Sequence, residues 1–331
     1  MRGLAGKRVL VTGADGFIGS HLCETLVQNC GSLRALIQYN SLGSWGWLDG
    51  SAIQNEIEGV LGDLRDSAQM LELCKDVDLI FHLGALIAIP YSYHAPGSYV
   101  ATNMNGTLNI LQGALTHEVE KLVQVSTSEV YGSAKQVPMD ETHPLNAQSP
   151  YSASKIGADA LAYSFYCSFD LPVVIARPFN TYGPRQSSRA VIPTIITQLL
   201  EGKDCLEMGN LSPTRDFNYV LDTCGAMIAL CESKSAVGEV VNIGSGREIS
   251  IGALVEKLKQ LTGQKISKVT VDSVRVRKDG SEVDRLLCDA TKLRNLTGYK
   301  YQVSLSDGLS KTLDWFKDKN NRARYRAGYQ I

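Results

Sequence analysis

Residues 8–19 read Arg8-Val9-Leu10-Val11-Thr12-Gly13-Ala14-Asp15-Gly16-Phe17-Ile18-Gly19. Arg8–Thr12 is a short apolar run of the kind that forms a strand buried on both faces of a parallel sheet. From Phe17 to residue 28 the apolar positions recur with a helical period. Gly13, Gly16 and Gly19 stand at the junction, spaced three and three. A strand that turns directly into a helix needs a residue without a Cβ at the turn. The same glycines let a pyrophosphate approach the backbone, and the helix N-terminus then offers it free N–H groups. A glycine triplet in this context is a dinucleotide-binding sequence rather than a glycine-rich turn.

Outward from this loop the first half of the chain alternates strand and helix. Strands are predicted at 33–38, 57–61, 79–83, 122–126 and 173–176, and helices at 67–74, 107–115 and 153–166. That alternation predicts an α/β fold: a Rossmann-type, doubly wound parallel sheet with right-handed crossovers. After Arg177 the pattern loosens around Pro178, Pro184 and Pro193. A helix at 194–201, a helix at 220–233, a strand at 240–243 and a helix at 251–261 follow. Residues 273–285 read as a polar loop, 309–317 as a final helix, and the basic tail beyond as frayed. A second, smaller C-terminal unit is therefore interleaved with the first. The expected division is 1–177 plus about 220–245 for the dinucleotide, and 178–219 with 246–331 for the substrate.

Composition narrows the function. The 331 residues carry 33 Lys+Arg against 34 Asp+Glu, a formal charge of −1. Such a balance gives no global pull on nucleic acid or on an anionic membrane. With 44% hydrophobic and 20% charged residues and a mean hydropathy of −0.07, the chain is an ordinary globular one. No run approaches the roughly 18 apolar residues of a membrane span. The start of the chain lacks a charged region followed by an apolar stretch and a cleavage site. Eight scattered cysteines, with no CxxC spacing, read as reduced thiols. The expectation is a cytoplasmic protein with no metal site.

Two further features carry chemistry. Tyr151 and Lys155 lie four apart in a helical stretch and so share a face. An ammonium beside a phenol favours the phenolate and lowers its pKa from ~10. The phenol then takes a proton from a sugar hydroxyl as hydride leaves the same carbon, help worth about 10²–10⁴ in rate. The second feature is Thr127-Ser128-Glu129, at the end of the fifth strand. Ligands of open α/β sheets bind beyond the carboxyl ends of strands. Thr127 or Ser128 there suits a hydrogen bond to the reacting hydroxyl, and Glu129 suits a base for a C–H made acidic by an adjacent ketone. One expected feature is missing. An acidic residue usually closes the second strand and binds the adenosine ribose, but Gln38, Tyr39 and Asn40 stand there. No arginine follows, so NAD is favoured and NADP stays open. Asp63 either meets the adenine or caps the next helix.

These stretches, with Arg177-Pro178-Phe179-Asn180, Tyr182-Gly183-Pro184-Arg185 and Arg215-Asp216-Phe217, resemble the extended short-chain dehydrogenase/reductase superfamily, in its NAD-dependent sugar epimerase/dehydratase group. The likeness runs from about residue 8 to 316. Within the group, the chain is most similar to the nucleotide-sugar 4,6-dehydratases of legionaminic acid biosynthesis, which act on nucleotide-activated N-acetylglucosamine. The stretches 39–47, 187–197 and 282–286 carry that likeness.

The resemblance implies roles. Tyr151 is the base on the 4-hydroxyl, Lys155 tunes it and holds the nicotinamide ribose, and Thr127 binds O4. Glu129 is the base at C5 and also protonates the leaving 6-hydroxyl. The dTDP-glucose branch has an Asp where this chain has Ser128, whereas GDP-mannose dehydratases look like this chain at that point. Gly13, Asp15, Gly16, Phe17, Ile18, Gly19, Asp63, Leu64 and Leu83 contact the cofactor, with Tyr151 and Lys155. Asn180, Arg185 and Arg215 contact the nucleotide sugar. The resemblance also implies a homodimer through helices near 107–115 and 153–166. Competing readings are a UDP-glucuronate decarboxylase, a 4-epimerase, which needs no base at C5, and a catalytically idle nucleotide-binding scaffold.

Overall fold

The apolar runs predicted as strands pair with one another; those in the middle of the sheet are buried on both faces, while 58–62, at its edge, is only partly covered. The computed structural model describes residues 2–272, 275 and 279–325. Its strands are β1 (Arg8–Thr12), β2 (Ser32–Gln38), β3 (Glu58–Gly62), β4 (Leu79–His82), β5 (Lys121–Val125), β6 (Val173–Pro178), β7 (Asn180–Tyr182), β8 (Cys205–Met208), β9 (Thr214–Tyr219), β10 (Val240–Ile243), β11 (Glu248–Ser250) and β12 (Lys268–Val271). The helices are α1 (Phe17–Val27), α2 (Ser67–Leu73), α3 (Ile89–His94), α4 (Pro96–Tyr99), α5 (Gly106–Thr116), α6 (Pro150–Phe169), α7 (Val191–Leu200), α8 (Val220–Glu232), α9 (Ile251–Thr262), α10 (Thr291–Thr297), α11 (Leu305–Lys317) and α12 (Lys319–Ala323).

The main sheet has seven strands in the order β10-β6-β5-β4-β1-β2-β3, and every pairing in it is parallel. The order reverses between β1 and β4, the crevice where ligands of doubly wound sheets bind. On one face, Met70, Leu73, Ile110, Leu111, Ala162 and Phe165 of α2, α5 and α6 pack over Leu10, Ile80 and Leu122. On the other, Leu22, Leu26, Met227 and Leu230 of α1 and α8 cover Val9, Phe81 and Val174. Burial of each such side chain contributes roughly 1.5–3 kcal/mol against exposure. α8 and β10, late in the chain, thus return to the first sheet, as 220–233 and 240–243 predict.

The rest of the C-terminal half builds two small sheets, β11-β9-β7 and β12-β8. α7 and α9 pack on each other beside them through Ile195, Leu199, Leu254 and Leu258. The sequence pattern shows none of these five short strands, nor α3 and α4. α6 begins at Pro150 rather than 153. Ser149 caps it, accepting from Ser152 N at 3.1 Å while Ser149 N donates to Ser152 Oγ at 3.0 Å, so Tyr151 lies in its first turn. The described part of the tail is not frayed. Arg324 stacks 4.3 Å above Trp47, and Tyr325 Oη donates to the Gln186 carbonyl at 3.0 Å. Of the loop expected over 273–285, residues 273, 274 and 276–278 lie outside the described residues, as do 326–331 of the tail. Among the described residues no helix is long and apolar enough to cross a membrane.

Candidate active site

The glycine loop sits at the carboxyl end of β1, at the switch point. Gly13 has φ +67°, and a Cβ there would come within 2.9 Å of Gly84 Cα, just past β4. A Cβ on Gly19 would lie 2.8 Å from the Gly13 carbonyl carbon and 2.9 Å from Ala14 Cα. Gly16 is the N-cap of α1 and supplies no capping side chain. The first N–H groups of α1 are therefore left for a ligand, and a cradle that any Cβ would fill suits a dinucleotide pyrophosphate. Phe17 and Ile18, in the first turn of α1, pack partly into the core, as does Leu83 beside Gly84. Leu64 is buried and its Cδ1 approaches Gly84. Asp63 closes this wall at the end of β3. Arg65 pairs with it at 2.5 Å and holds its carboxyl below the usual range. The capping alternative for Asp63 fails, because Asp66 caps α2 by accepting from Gln69 N at 3.0 Å.

A buried chain of hydrogen bonds locks β1 to β4 under this cradle. Gly84 N donates to Thr12 Oγ1 at 3.0 Å, and Thr12 Oγ1 lies 2.7 Å from His82 Nδ1. His82 Nε2 lies 3.1 Å from Thr107 Oγ1, whose proton goes to the Asn103 carbonyl at 2.6 Å. Thr107 therefore accepts from His82, and the imidazole is the neutral Nε2–H tautomer with Nδ1 accepting from Thr12. Burial, with Lys155 adding like charge, pushes the His82 pKa down to about 3.

Tyr151 and Lys155 lie on α6 beside the end of β5, both buried. The Thr127 hydroxyl hydrogen-bonds the Tyr151 phenol, and the Glu129 carboxylate is close enough to act on that phenol by charge. Thr127 Oγ1 also accepts from Glu129 N at 3.2 Å, which starts the single helical turn Ser128–Tyr131. Ser128 is buried at its start. Three of the predicted groups thus converge on one strand end: phenol, hydroxyl and carboxylate. One expectation needs correction. The phenol is not lowered in this structure. Burial dominates and raises its pKa, the Thr127 hydrogen bond opposes, and Glu129 raises it further. The ammonium of Lys155 is instead held on the backbone, with Nζ donating to the Val125 carbonyl at 2.7 Å. Burial brings the Lys155 pKa down to about 8, with Asp159 pulling the other way.

Asp159, one turn beyond Lys155, is a site residue that the sequence alone does not single out. Its Oδ2 accepts from Ser126 Oγ at 2.8 Å and from Arg177 Nε at 3.1 Å. Both Asp159 and Arg177 are buried, and Arg177 also donates to Tyr131 Oη at 3.0 Å. Asn180 opens β7, and its Oδ1 is buried with no hydrogen-bond partner among the described residues, as suits a ligand contact. Arg215, in β9, donates to the Thr214 carbonyl at 2.9 Å and approaches Glu282 at 3.5 Å. Arg185, expected on the diphosphate, is engaged within the chain. Its guanidinium donates to Ser20 Oγ at 3.2 Å and pairs with Glu24 at 2.6 Å, so a carboxylate of α1 holds the fork expected on a diphosphate. Asp216, another residue without a sequence signal of its own, is buried and pins the 244–246 turn. Its carboxylate accepts from Ser245 N at 2.9 Å, Gly246 N at 2.8 Å and Cys288 N at 3.2 Å.

Known proteins share this architecture. The profile of the family described as GDP-mannose 4,6 dehydratase matches residues 10–312. A dTDP-glucose 4,6-dehydratase of Actinoplanes sp. is 33% identical over 319 residues, 94% of this chain and 98% of that protein. A UDP-N-acetyl-alpha-D-glucosaminuronate decarboxylase of Bacillus cytotoxicus is 34% identical over 328 residues, 95% of this chain and 99% of that protein. The crystal structure of a Streptomyces venezuelae dTDP-glucose 4,6-dehydratase with NAD bound superposes with a TM-score of 0.88 at 31% identity, covering 96% and 98% of the two chains. The chain belongs to the extended short-chain dehydrogenase/reductase family of nucleotide-sugar dehydratases, epimerases and decarboxylases.

Proposed function

We propose that this chain is a nucleotide-sugar 4,6-dehydratase, a hydro-lyase. Its substrate is UDP- or GDP-linked N-acetylglucosamine and its product the 4-keto-6-deoxy sugar, as in legionaminic acid biosynthesis. The cofactor is NAD. The observation that carries the reading is the convergence of Thr127, Glu129 and Tyr151. A carboxylate beside the phenol is what elimination across C5 and C6 requires and inversion at C4 does not.

NAD, when bound, supplies the two-electron acceptor that oxidises C4 and the donor that later reduces C6. Tyr151 takes the proton of the 4-hydroxyl while Thr127 holds O4. Lys155, anchored on the Val125 carbonyl, holds the nicotinamide ribose. The C4 ketone acidifies C5–H, and Glu129 removes that proton. Water then leaves from C6, protonated by Glu129, because Ser128 supplies no second acid, and when C6 is reduced a proton returns to C5, matching the one released from the 4-hydroxyl. Asn180 and Arg215 hold the nucleotide sugar, and Arg185 braces the 183–186 turn on α1. Residues 1–177 with about 220–245 form the dinucleotide side, and 178–219 with 246–331 the sugar side. Two copies pair through α5 and α6, and the reaction is cytoplasmic.

Incubation with a panel of nucleotide sugars, followed by mass spectrometry, tests the reading. N-Acetylglucosamine nucleotides should lose one water, and a deuterium placed at C4 should reappear at C6. Carbon dioxide released from a uronate would show a decarboxylase instead. Inversion at C4 without loss of water would show an epimerase. The decarboxylase outcome is the stronger rival, because a relative of that activity matches the chain over almost its full length.

A further inference from the structure

The adenosine end of the cradle lacks its usual anchor. β2 ends at Gln38, and from there through Leu48 the chain holds no carboxylate and no cation. The next acid, Asp49, is engaged in folding its own loop: it accepts from Ser44 Oγ at 2.5 Å and from Trp45 N at 2.9 Å. Asp15 approaches the same place from the other side. It immediately precedes Gly16, and Ala14 N donates to the Leu36 carbonyl at 3.2 Å, which lays the glycine loop against the end of β2. The segment after β2 folds back over it. Trp47 N donates to the Asp15 carbonyl at 3.1 Å, and Gly46, at φ +59°, packs so that a Cβ would lie 3.0 Å from Asp15 Cβ. Burial raises the pKa of this partly buried carboxyl, and hydrogen bonds from its own backbone N–H and from the Gln38 backbone N–H, at the end of β2, oppose the rise. Arg324 reaches this segment too, but it donates to the Gly46 carbonyl and stacks on Trp47. Arg65 is paired with Asp63.

We propose that Asp15 is the residue that reads the adenosine ribose. Its carboxylate accepts the 2′-hydroxyl of NAD and excludes the 2′-phosphate of NADP. The acid has moved from the end of the second strand into the glycine loop, and the specificity has moved with it. A hydroxyl donating to a carboxylate makes a charge-assisted bond, among the stronger ones. A 2′-phosphate would put about two more negative charges beside it, without, among the described residues, the arginine fork that a phosphate site uses. The inference rests on the dinucleotide reading of the glycine loop and is independent of the sugar and of the reaction.

Titration calorimetry on nucleotide-stripped protein tests it without turnover. NAD, NADP and the NAD analogue lacking the adenosine 2′-hydroxyl are bound to the wild type, Asp15→Asn and Asp15→Ala. The wild type should bind NAD about tenfold or more tighter than the deoxy analogue, the worth of one hydrogen bond to a charged group. It should discriminate roughly a hundredfold against NADP. Asp15→Ala should bind NAD and the deoxy analogue alike, Asp15→Asn should keep only the smaller preference of a neutral acceptor, and in both the NADP penalty should collapse. Asp15→Asn preserves shape, so it decides the matter if Asp15→Ala does not fold. A variant that keeps the wild-type preference for the 2′-hydroxyl overturns the proposal. Binding of none of the three nucleotides by the wild type would overturn the glycine-loop reading beneath it.

Discussion

Lys155 Nζ donates to the Val125 carbonyl at 2.7 Å, so the ammonium that faces the cofactor crevice is anchored on the last residue of β5. Burial lowers its pKa from 10.5 to about 8. The unfolded chain therefore binds the proton more tightly than the native state. Below pH 8 both states are charged and the native state bears the full cost, on the order of 3 kcal/mol. Between pH 8 and 10.5 the native lysine loses its proton first and the cost disappears. Lys155→Met should thus be more stable than the wild type near neutrality, and that gain should shrink as pH rises through this window. Turnover should fall to a trace. Denaturant melts of nucleotide-free protein at pH 7, 8.5 and 10 would show it. A stability gap that is constant across that range would contradict the assignment.

Glu129→Gln removes the C5 base while leaving its outline intact. Oxidation at C4 depends on Tyr151 and Thr127, which the substitution does not touch. We expect reduced cofactor to accumulate, seen as absorbance of NADH on mixing with substrate. Dehydration should fall by about 10²–10⁴, the usual worth of a positioned base. A variant that eliminates water at the wild-type rate would remove the carboxylate from the chemistry.

The legible parts of this molecule are those whose pattern follows from burial alone. β1, β4, β5 and β6 are covered on both faces and so read as plain apolar runs. The glycine loop and the Tyr151/Lys155 spacing are legible because backbone approach and helix geometry dictate them. β9 is not. Its Thr-Arg-Asp-Phe-Asn-Tyr run buries Arg215, Asp216 and Asn218, and only partners distant in sequence, such as Ser245 and Cys288, make that tolerable. Asp159 shares a helix face with Lys155, a visible spacing, but its partner Arg177 lies across the sheet on β6. The raised phenol of Tyr151 escapes sequence reading for a related reason. Spacing shows which charge is near, whereas desolvation depends on everything packed around the group.

Gly19→Ala should uncouple the cradle. The added Cβ would overlap the Gly13 carbonyl and lie 2.9 Å from Ala14 Cα. Both are backbone atoms, with no flexible side chain to give way. The glycine turn must shift, at a cost of about 1–3 kcal/mol in stability, and the phosphate-binding amides shift with it. Gly16→Ala is the contrast, since its Cβ meets only the Gly13 carbonyl oxygen at 3.3 Å. Thermal unfolding and NAD titration on both variants check the order. Gly19→Ala should lose most NAD affinity and Gly16→Ala distinctly less, and equal effects would count against backbone crowding as the reason for the third glycine.

His82 gives the fold an acid limit. Held neutral between Thr12 and Thr107, it has a native pKa of about 3, against 6.5 for a histidine in water. Its stabilising share is whole above pH 6.5. As pH falls from 6.5 toward 3, the unfolded chain gains a proton that the native state refuses, and stability drops by up to about 1.4 kcal/mol per pH unit. His21, lowered to about 4 by burial and then by the charge of Arg185, adds a second term of the same sign. His82→Gln keeps polar atoms in the chain of hydrogen bonds but has no proton to refuse. Its stability should start lower at pH 7, through imperfect hydrogen bonding, and then decline less steeply, so that the two curves converge on acidification. Urea melts at pH 7, 6 and 5 measure both slopes. Curves that stay parallel would mean that the native imidazole takes up its proton as readily as the unfolded one, and the neutral tautomer assigned from the Thr107 hydroxyl would fall with it.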